Sequence, residues 1–174
     1  GETVAGSQVL VDIDNLIDYM LTIFYTDNFD APTSSFGRNK GPNNFYAIKN
    51  RENPAQGFSF YNHDGEHSMF GEVVSPGLGI TEDRVNLTER TDGRDMTVTS
   101  FSRFHPQWLH HRMTDNKEYR LRFSDRAWRY LQDGGILSEE KNLERFMARY
   151  EEIDMAIIGE SARWGDSKRG NAEP

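Results

Sequence analysis

The sequence predicts an α+β fold in which helices form most of the core and one short β-hairpin lies between them. Apolar residues recur at helical spacing near the start of the chain and through its last third. Between these stretches, two short runs rich in aromatic residues flank a turn-forming segment, which is typical of a hairpin. We expect residues 1–174 to form a single domain or lobe, because 174 residues lie in the usual range of one domain.

The first predicted element is a helix from Asp12 to about Phe24. Asp12 and Asp14 suit its start, since aspartate side chains accept hydrogen bonds from the free amides there and are stabilised by the helix dipole. From Asn28 to Pro42 the composition turns to Pro, Ser, Gly and Asn, which predicts a loop of a length that is often functional. One apolar face of the helix is formed by Ile13, Leu16, Ile17, Met20, Leu21 and Phe24.

The hairpin is predicted from two strands, Phe45–Lys49 and Phe58–Tyr61. The segment between them, Asn50–Gly57, contains Asn, Pro and Gly and is typical of a hairpin loop. After Asp64 the sequence is rich in Gly, Ser and Thr as far as about Ser102. We expect little regular structure in that stretch.

The last third predicts three helices. Pro106 suits the first turn of a short helix through His110, and Thr114 is predicted to cap a second helix that ends at Gly134-Gly135. Ser138 is predicted to cap a longer third helix, with a buried apolar stripe that continues to about Ala162. Its stripe contains Leu143, Phe146, Met147, Tyr150, Ile153, Ile157 and Ile158.

Composition excludes several classes of function. Asp and Glu number 28 against 20 Lys and Arg, a net charge of −8, which argues against a nucleic-acid partner because such proteins need positive charge for the phosphates. The absence of cysteine excludes thiol catalysis and thiolate zinc sites. No apolar run approaches the roughly 20 residues of a membrane-spanning helix, so no membrane span is expected.

Candidate site residues lie at the edges of the predicted elements. Asp30 follows the first helix, Asn43 and Asn44 precede the first strand, and Asp64 follows the second strand. The open end of the hairpin brings Asn44 and Asp64 close together, and carboxylate and amide oxygens suit Mg²⁺. An Asp, an Asn, two short strands and a second Asp followed by Gly form the order of phosphoryl-transfer residues in protein kinases.

Seven segments also resemble a known family, the CotH kinases, which are atypical protein kinases named for a spore-coat protein. The resemblance covers nearly the whole chain but only the carboxy-terminal part of the family's domain, so we expect the nucleotide-binding amino-terminal lobe to be absent. Family members keep the Asp closer to the Asn pair, and Ala31–Pro42 is therefore an insertion here. The similar segments are Val11–Tyr19, Asn28–Asp30, Asn43–Tyr46, Asp64–His67, His105–Leu109, Arg120–Arg129 and Glu160–Asp166.

The resemblance implies a protein-kinase-like carboxy-terminal lobe that transfers phosphate from ATP to Ser or Thr of a protein substrate. Asp30 corresponds to the catalytic aspartate. Asn44 and Asp64 correspond to the residues that bind the metal and thereby the nucleotide, with Asn43 replacing Asn44 if the insertion shifts the loop by one residue. The implied cofactors are ATP and Mg²⁺ or Mn²⁺, and the implied location is extracellular, at a spore coat or cell surface.

Two other functions compete with this interpretation. One is a catalytically inactive coat or surface scaffold of the same fold, since no Gly-rich strand–turn–strand is recognisable and Lys49 lies on the wrong side of the catalytic loop for the kinase lysine. The other is a zinc hydrolase, because His63, Glu66 and His67 satisfy the pattern H-x-x-E-H. That pattern needs a helix, and the preceding strand-like run and Gly65 argue against one.

Two further groups of residues have structural predictions. His105, His110 and His111 surround Trp108, and we expect them to pack as an aromatic cluster. A basic helix face is expected to be solvated, with the docking of an acidic substrate as the alternative. This face contains Arg120, Arg122, Arg126 and Arg129.

Overall fold

A computed structural model of the chain describes residues 8–33, 41–69, 85, 105–132 and 134–168. Four helices and a two-stranded antiparallel sheet are present in these residues, which confirms the α+β class. None of the described helices combines the length and the apolarity that crossing a membrane requires. The helices are α1 (Ile13–Thr26), α2 (Pro106–Met113), α3 (Lys117–Leu131) and α4 (Glu139–Lys168), and the strands are β1 (Phe45–Ile48) and β2 (Ser59–Asn62).

The chain divides into two compact units, one ending at Ser124 and one beginning at Asp125. The first unit contains α1, the hairpin, α2 and the start of α3, and the second contains the end of α3 and α4. The stretch predicted to have little regular structure, Asp64 to about Ser102, lies mostly outside the described residues. Its described part, residues 64–69 and residue 85, contains no helix or strand.

Helix α1 provides most of the core of the first unit. Four residues of the predicted face are buried, whereas Ile13 and Phe24 are half-buried, and Tyr19 and Ile23 are buried in addition to that face. Asp12 caps it, because the side-chain Oδ1 accepts a hydrogen bond of 3.1 Å from the amide of Asn15. The helix ends at Asp27, whose left-handed backbone (φ 46°) lets its amide bond to carbonyls of the last turn. The side chains that are completely buried are Leu16, Ile17, Met20 and Ile23.

The hairpin is confirmed with strand boundaries shifted by about one residue from the prediction. Phe45 pairs with Asn62 at the open end and Ile48 pairs with Ser59 near the loop. The chain preceding α1 lies along the other side of the hairpin's second arm, where Val11 forms a parallel bridge with Phe58. The hairpin is therefore held both by its own strand pairing and by the bridge to the chain that precedes α1.

The boundary between α2 and α3 differs from the prediction. Thr114 does not cap α3; it ends α2, and its amide donates to the carbonyl of His110. Asn116 is the cap of α3, since its Oδ1 accepts hydrogen bonds from the amides of Glu118 and Tyr119 at 2.8 and 3.3 Å. An asparagine directly before the first helical residue reaches these amides, whereas a threonine three residues before it does not.

The predicted aromatic packing of the histidines is confirmed for His110 and His111, whose ring centres lie 5.6 Å apart, whereas Trp108 contacts the guanidinium of Arg112. His105 and His110 are buried, and Nδ1 of His110 lies 2.8 Å from the hydroxyl of Tyr119. The His110 ring also contacts Phe24 edge to face, with ring centres 5.4 Å apart. The cluster thus joins α2 and α3 to the end of α1.

The basic face of α3 contains one arginine that forms an ion pair with α1 and two that are exposed. Arg122 forms a two-pronged ion pair with Asp14, through Nε at 2.6 Å and Nη2 at 2.8 Å. Arg120 and Arg129 are exposed, as predicted for a solvated face. The Arg122 pair joins α3 to the first turn of α1, although its exposure limits its contribution to about 1 kcal/mol or less.

Helix α4 begins after Ser138 as predicted, since Oγ of Ser138 accepts a bond of 3.4 Å from the amide of Lys141. The predicted burial of its apolar stripe is wrong in the described structure. A helical repeat shows which side chains share a face but not what covers that face. The exposed side chains are Leu143, Phe146, Met147, Tyr150, Ile153, Ile157 and Ile158, with exposed fractions between 42% and 65%.

Gly57 provides a test of the contact between the hairpin and the chain before α1. A methyl group on Gly57 would lie 2.3 Å from the carbonyl carbon of Val11 and 2.5 Å from the nitrogen of Asp12. Because backbone atoms cannot move aside cheaply, we expect Gly57→Ala to lower the free energy of unfolding by about 2–3 kcal/mol in urea denaturation.

The matched control is Gly65→Ala. The nearest atom to its added methyl group is the side-chain Nδ2 of exposed Asn62 at 3.0 Å, which can rotate away. We expect a loss below about 0.5 kcal/mol for this control. Equal losses in the two variants would contradict the close approach at Gly57.

The buried histidines predict acid sensitivity. Burial, with a smaller effect of His111, lowers the pKa of His105 and of His110 to about 3. An unfolded histidine has a pKa of about 6.5. Between about pH 3 and pH 6.5 the unfolded chain therefore binds more protons than the folded chain, and the free energy of unfolding decreases as the pH falls. Each histidine contributes up to about 1.4 kcal/mol per pH unit in this window.

We expect urea denaturation between about pH 6.5 and pH 4 to show this loss. His110→Gln cannot titrate, so it should flatten the dependence of unfolding free energy on pH by about one proton, even though it loses the Tyr119 contact. His63→Gln, at an exposed position, serves as the control. An unchanged slope in His110→Gln would refute a neutral buried His110.

Candidate functional site

The carboxylate of Asp30 is the centre of the candidate site. Only 8% of its side chain is exposed. Its Oδ2 accepts hydrogen bonds from the side-chain nitrogens of Asn43 at 2.9 Å and Asn44 at 3.0 Å. The Asn43 nitrogen also lies 3.1 Å from the backbone oxygen of Asp30. Two asparagines therefore restrain one oxygen of a buried carboxylate.

The loop after α1 is shaped by its own side chains. Asn28 is completely buried, and its Oδ1 accepts a hydrogen bond of 3.1 Å from the amide of Asp30. This local bond stabilises the turn that carries Asp30 inward. Phe29, the residue between Asn28 and Asp30, is also buried, which anchors the loop further.

The predicted insertion Ala31–Pro42 does not separate Asp30 from the asparagines. Thr33 and Pro42 form an antiparallel bridge, and the amide of Asn43 donates to the carbonyl of Pro32 at 3.0 Å. The two ends of the predicted insertion therefore lie next to each other. The structure brings both Asn43 and Asn44 to Asp30, so the two registers considered from the sequence share the same carboxylate.

Asn44 and Asp64 lie at the open end of the hairpin, as the sequence predicts. Each has a left-handed backbone with φ 51°, a conformation that Asn and Asp adopt more readily than most residues. The carbonyl of Asn44 accepts a hydrogen bond of 3.0 Å from the amide of His63, one residue before Asp64. Asp64 is exposed, and the described residues show no hydrogen bond or ion pair from its side chain.

His67 belongs to the site and was not predicted there. Its ring stacks on Phe29 with centres 4.8 Å apart and planes 9° apart, and its Nδ1 lies 3.7 Å from Oδ2 of Asp30. Its backbone oxygen accepts from the amide of Phe29 at 3.3 Å. The one sequence signal for this contact is that His67 follows the strand exit closely enough to fold back over the Asp30 loop.

The zinc-hydrolase pattern lacks the helix that it requires. Residues 63–67 are not helical, and the two histidines contact different aromatic rings. His63 packs edge to face on Tyr46 with ring centres 5.1 Å apart, whereas His67 lies on Phe29. Across the described ranges, no three His, Asp or Glu side chains converge in a way that would hold a metal.

The donor chemistry of the site nevertheless fits a magnesium ion bound partly by amides. Because the nitrogens of Asn43 and Asn44 donate to Asp30, their Oδ1 atoms are directed away from that carboxylate. Together with the exposed carboxylate of Asp64, they offer hard oxygen ligands only. Magnesium takes few protein ligands of this kind and completes its shell with water and phosphate.

Comparisons of the chain with protein-family models, with curated proteins and with solved structures found no match. The interpretation of the site therefore depends on its geometry and its chemistry.

The asparagine contacts predict a stability effect. Asn43→Ala removes two hydrogen bonds and leaves the buried Asp30 carboxylate with fewer donors, so we expect the free energy of unfolding to fall by about 1–3 kcal/mol. Urea denaturation measures this change. Asn62→Ala, an exposed asparagine on β2, is the control and should cost below about 0.5 kcal/mol. A loss for Asn43→Ala as small as the control's would contradict the network.

Proposed function

We propose that this chain is the carboxy-terminal lobe of a CotH-like atypical kinase, which transfers the γ-phosphoryl group of ATP to a Ser or Thr hydroxyl of a protein substrate. One observation supports this most strongly. The buried carboxylate of Asp30 is held by Asn43 and Asn44 at the open end of the hairpin that also carries Asp64.

Asp30 acts on the acceptor hydroxyl in this proposal. It orients the hydroxyl toward the phosphorus atom and accepts its proton as the new bond forms. Holding a reactive group in one geometry supplies much of the rate enhancement in phosphoryl transfer, where the protein does little covalent chemistry. The two amide bonds to Oδ2 hold that oxygen in place before substrate binds.

Asn44 and Asp64 hold the metal in this proposal, with Asn43 as the alternative amide ligand. Mg²⁺ or Mn²⁺, when bound, neutralises the negative charge of the phosphates and orients them. Asp30, Asp64 and the net charge of −8 would otherwise repel a triphosphate. The oxygen atoms of this chain thus attract the cation that makes nucleotide binding favourable.

A catalytically inactive scaffold of the same fold is the second candidate. It is favoured by the apolar stripe of α4, where a series of large apolar side chains is exposed. Contiguous exposed apolar surface marks interaction sites. The two candidates differ in what Asp30 does, and a transfer assay separates them.

The test is transfer of labelled phosphate from ATP to Ser- and Thr-containing peptides in the presence of Mg²⁺, by a protein in which this lobe is joined to a nucleotide-binding amino-terminal lobe. We expect Asp30→Asn to reduce the rate by about 10²-fold or more, because the proton acceptor is lost. Asn44→Ala and Asp64→Ala should each raise the Mg²⁺ concentration that gives half-maximal rate, since each removes an oxygen ligand.

The control is Asp115→Asn, an exposed aspartate between α2 and α3, which should transfer phosphate at the wild-type rate. If the wild-type two-lobed protein transfers no phosphate, the scaffold replaces the kinase. If Asp30→Asn transfers as fast as wild type, Asp30 is not the catalytic residue.

A further inference from the structure

We infer that His67 is a positioning residue for Asp30, and that its imidazole Nδ1 helps to hold the carboxylate in the orientation that the acceptor hydroxyl needs. This inference rests on the proposed function, because the orientation matters only if Asp30 acts on a hydroxyl. It goes beyond that function by adding a third group to the two asparagines.

The backbone places His67 over the Asp30 loop. The amide of Phe29 donates to the carbonyl of His67 at 3.3 Å, and the amide of Met69 donates to the carbonyl of Thr26 at 2.7 Å. One bond joins the segment after the hairpin to the last residue of α1, and the other joins it to the loop that follows α1. His67 is thereby fixed beside Asp30 independently of its side chain.

Ring stacking then sets the plane of the imidazole. With the His67 and Phe29 planes 9° apart, a partial rotation of the ring would break the stack, so the ring atoms lie in a plane nearly parallel to Phe29. Nδ1 faces Oδ2 of Asp30 at 3.7 Å, and Nε2 faces a carboxylate oxygen of Glu66 at the same distance. Carboxylates at both nitrogens favour an N–H directed at either of them.

The distance of 3.7 Å is longer than a hydrogen bond. Contacts between catalytic groups are often long without substrate and shorten when it binds. The asparagines approach Oδ2 from the residues before β1, whereas His67 approaches it from the residues after β2. Groups from two separate segments therefore limit the rotation of one carboxylate more than either segment does alone.

Two substitutions separate the nitrogen of His67 from its ring. His67→Asn keeps a nitrogen donor near the position of Nδ1 but loses the stacking ring. His67→Phe keeps a ring that can stack on Phe29 but has no donor. His63→Phe is the matched control, because His63 precedes Asp64, packs on Tyr46 and does not touch Asp30.

We expect His67→Phe to lower kcat for phosphate transfer by about tenfold or more, with KM for ATP and for the peptide within about twofold, because only alignment is lost. His67→Asn should recover kcat to within about threefold of wild type, and His63→Phe should match wild type. Wild-type kcat in His67→Phe would overturn the inference. A loss in His67→Asn with none in His67→Phe would also overturn it, since only stacking would then matter.

A spectroscopic readout keeps this inference separate from the kinase proposal. The imidazole ¹⁵N resonances of His67 should shift in Asp30→Asn and stay unchanged in Asp115→Asn, because only Asp30 faces Nδ1. Unshifted His67 resonances in Asp30→Asn would overturn the positioning role. Loss of the kinase proposal is recognised differently, by the absence of phosphate transfer from the wild-type two-lobed protein.

Discussion

The arrangement of the first unit depends on one side-chain amide, that of Asn15 in the first turn of α1. Its Nδ2 donates to the carbonyl of Phe60 at 3.2 Å, and its Oδ1 accepts from the amide of Phe60. The side chain thus satisfies both backbone groups of a β2 residue, as a neighbouring strand would. Since β2 is in register with β1, this clamp fixes the whole hairpin on α1. The open end of the hairpin, with Asn44, then meets the loop that carries Asp30.

The contact between the hairpin end and this loop offsets the free-energy cost of burying the Asp30 carboxylate. Burying a carboxylate is costly unless donors replace the water that it loses. Asp30 receives these donors from the amides of Asn43 and Asn44, which carry no charge. A lysine or arginine in their place would neutralise the carboxylate. Neutral donors keep the carboxylate in position and leave the negative potential of the site intact.

Local signals predicted the parts of this fold whose causes are local. The Asp12 cap, most of the buried face of α1 and the hairpin each depend on residues close in sequence, and the structure confirms them. The hairpin also predicts that Asn44 and Asp64 lie at its open end, and the structure places them there. The contact of His67 with the Asp30 loop depends on backbone bonds between residues about forty positions apart, for which periodicity gives no signal. The cap of α3 was misassigned to Thr114 because Thr114 and Asn116 are both capping types and only their distance from the first helical turn decides between them.

Local signals predict helix α4 but not what covers its apolar face. Its sequence predicts a long helix correctly, because its cap at Ser138 and its pairs such as Lys141 with Glu144 act within the helix. These local terms contribute little, and helices in proteins gain most of their stability from burying an apolar face. The apolar side chains of α4 are 42% to 78% exposed. Covering them would remove large apolar surface from water at about 25 cal/mol per Å². Of the described elements, α4 therefore has the most free energy to gain from association, and the periodicity that predicts the helix is silent about what covers it.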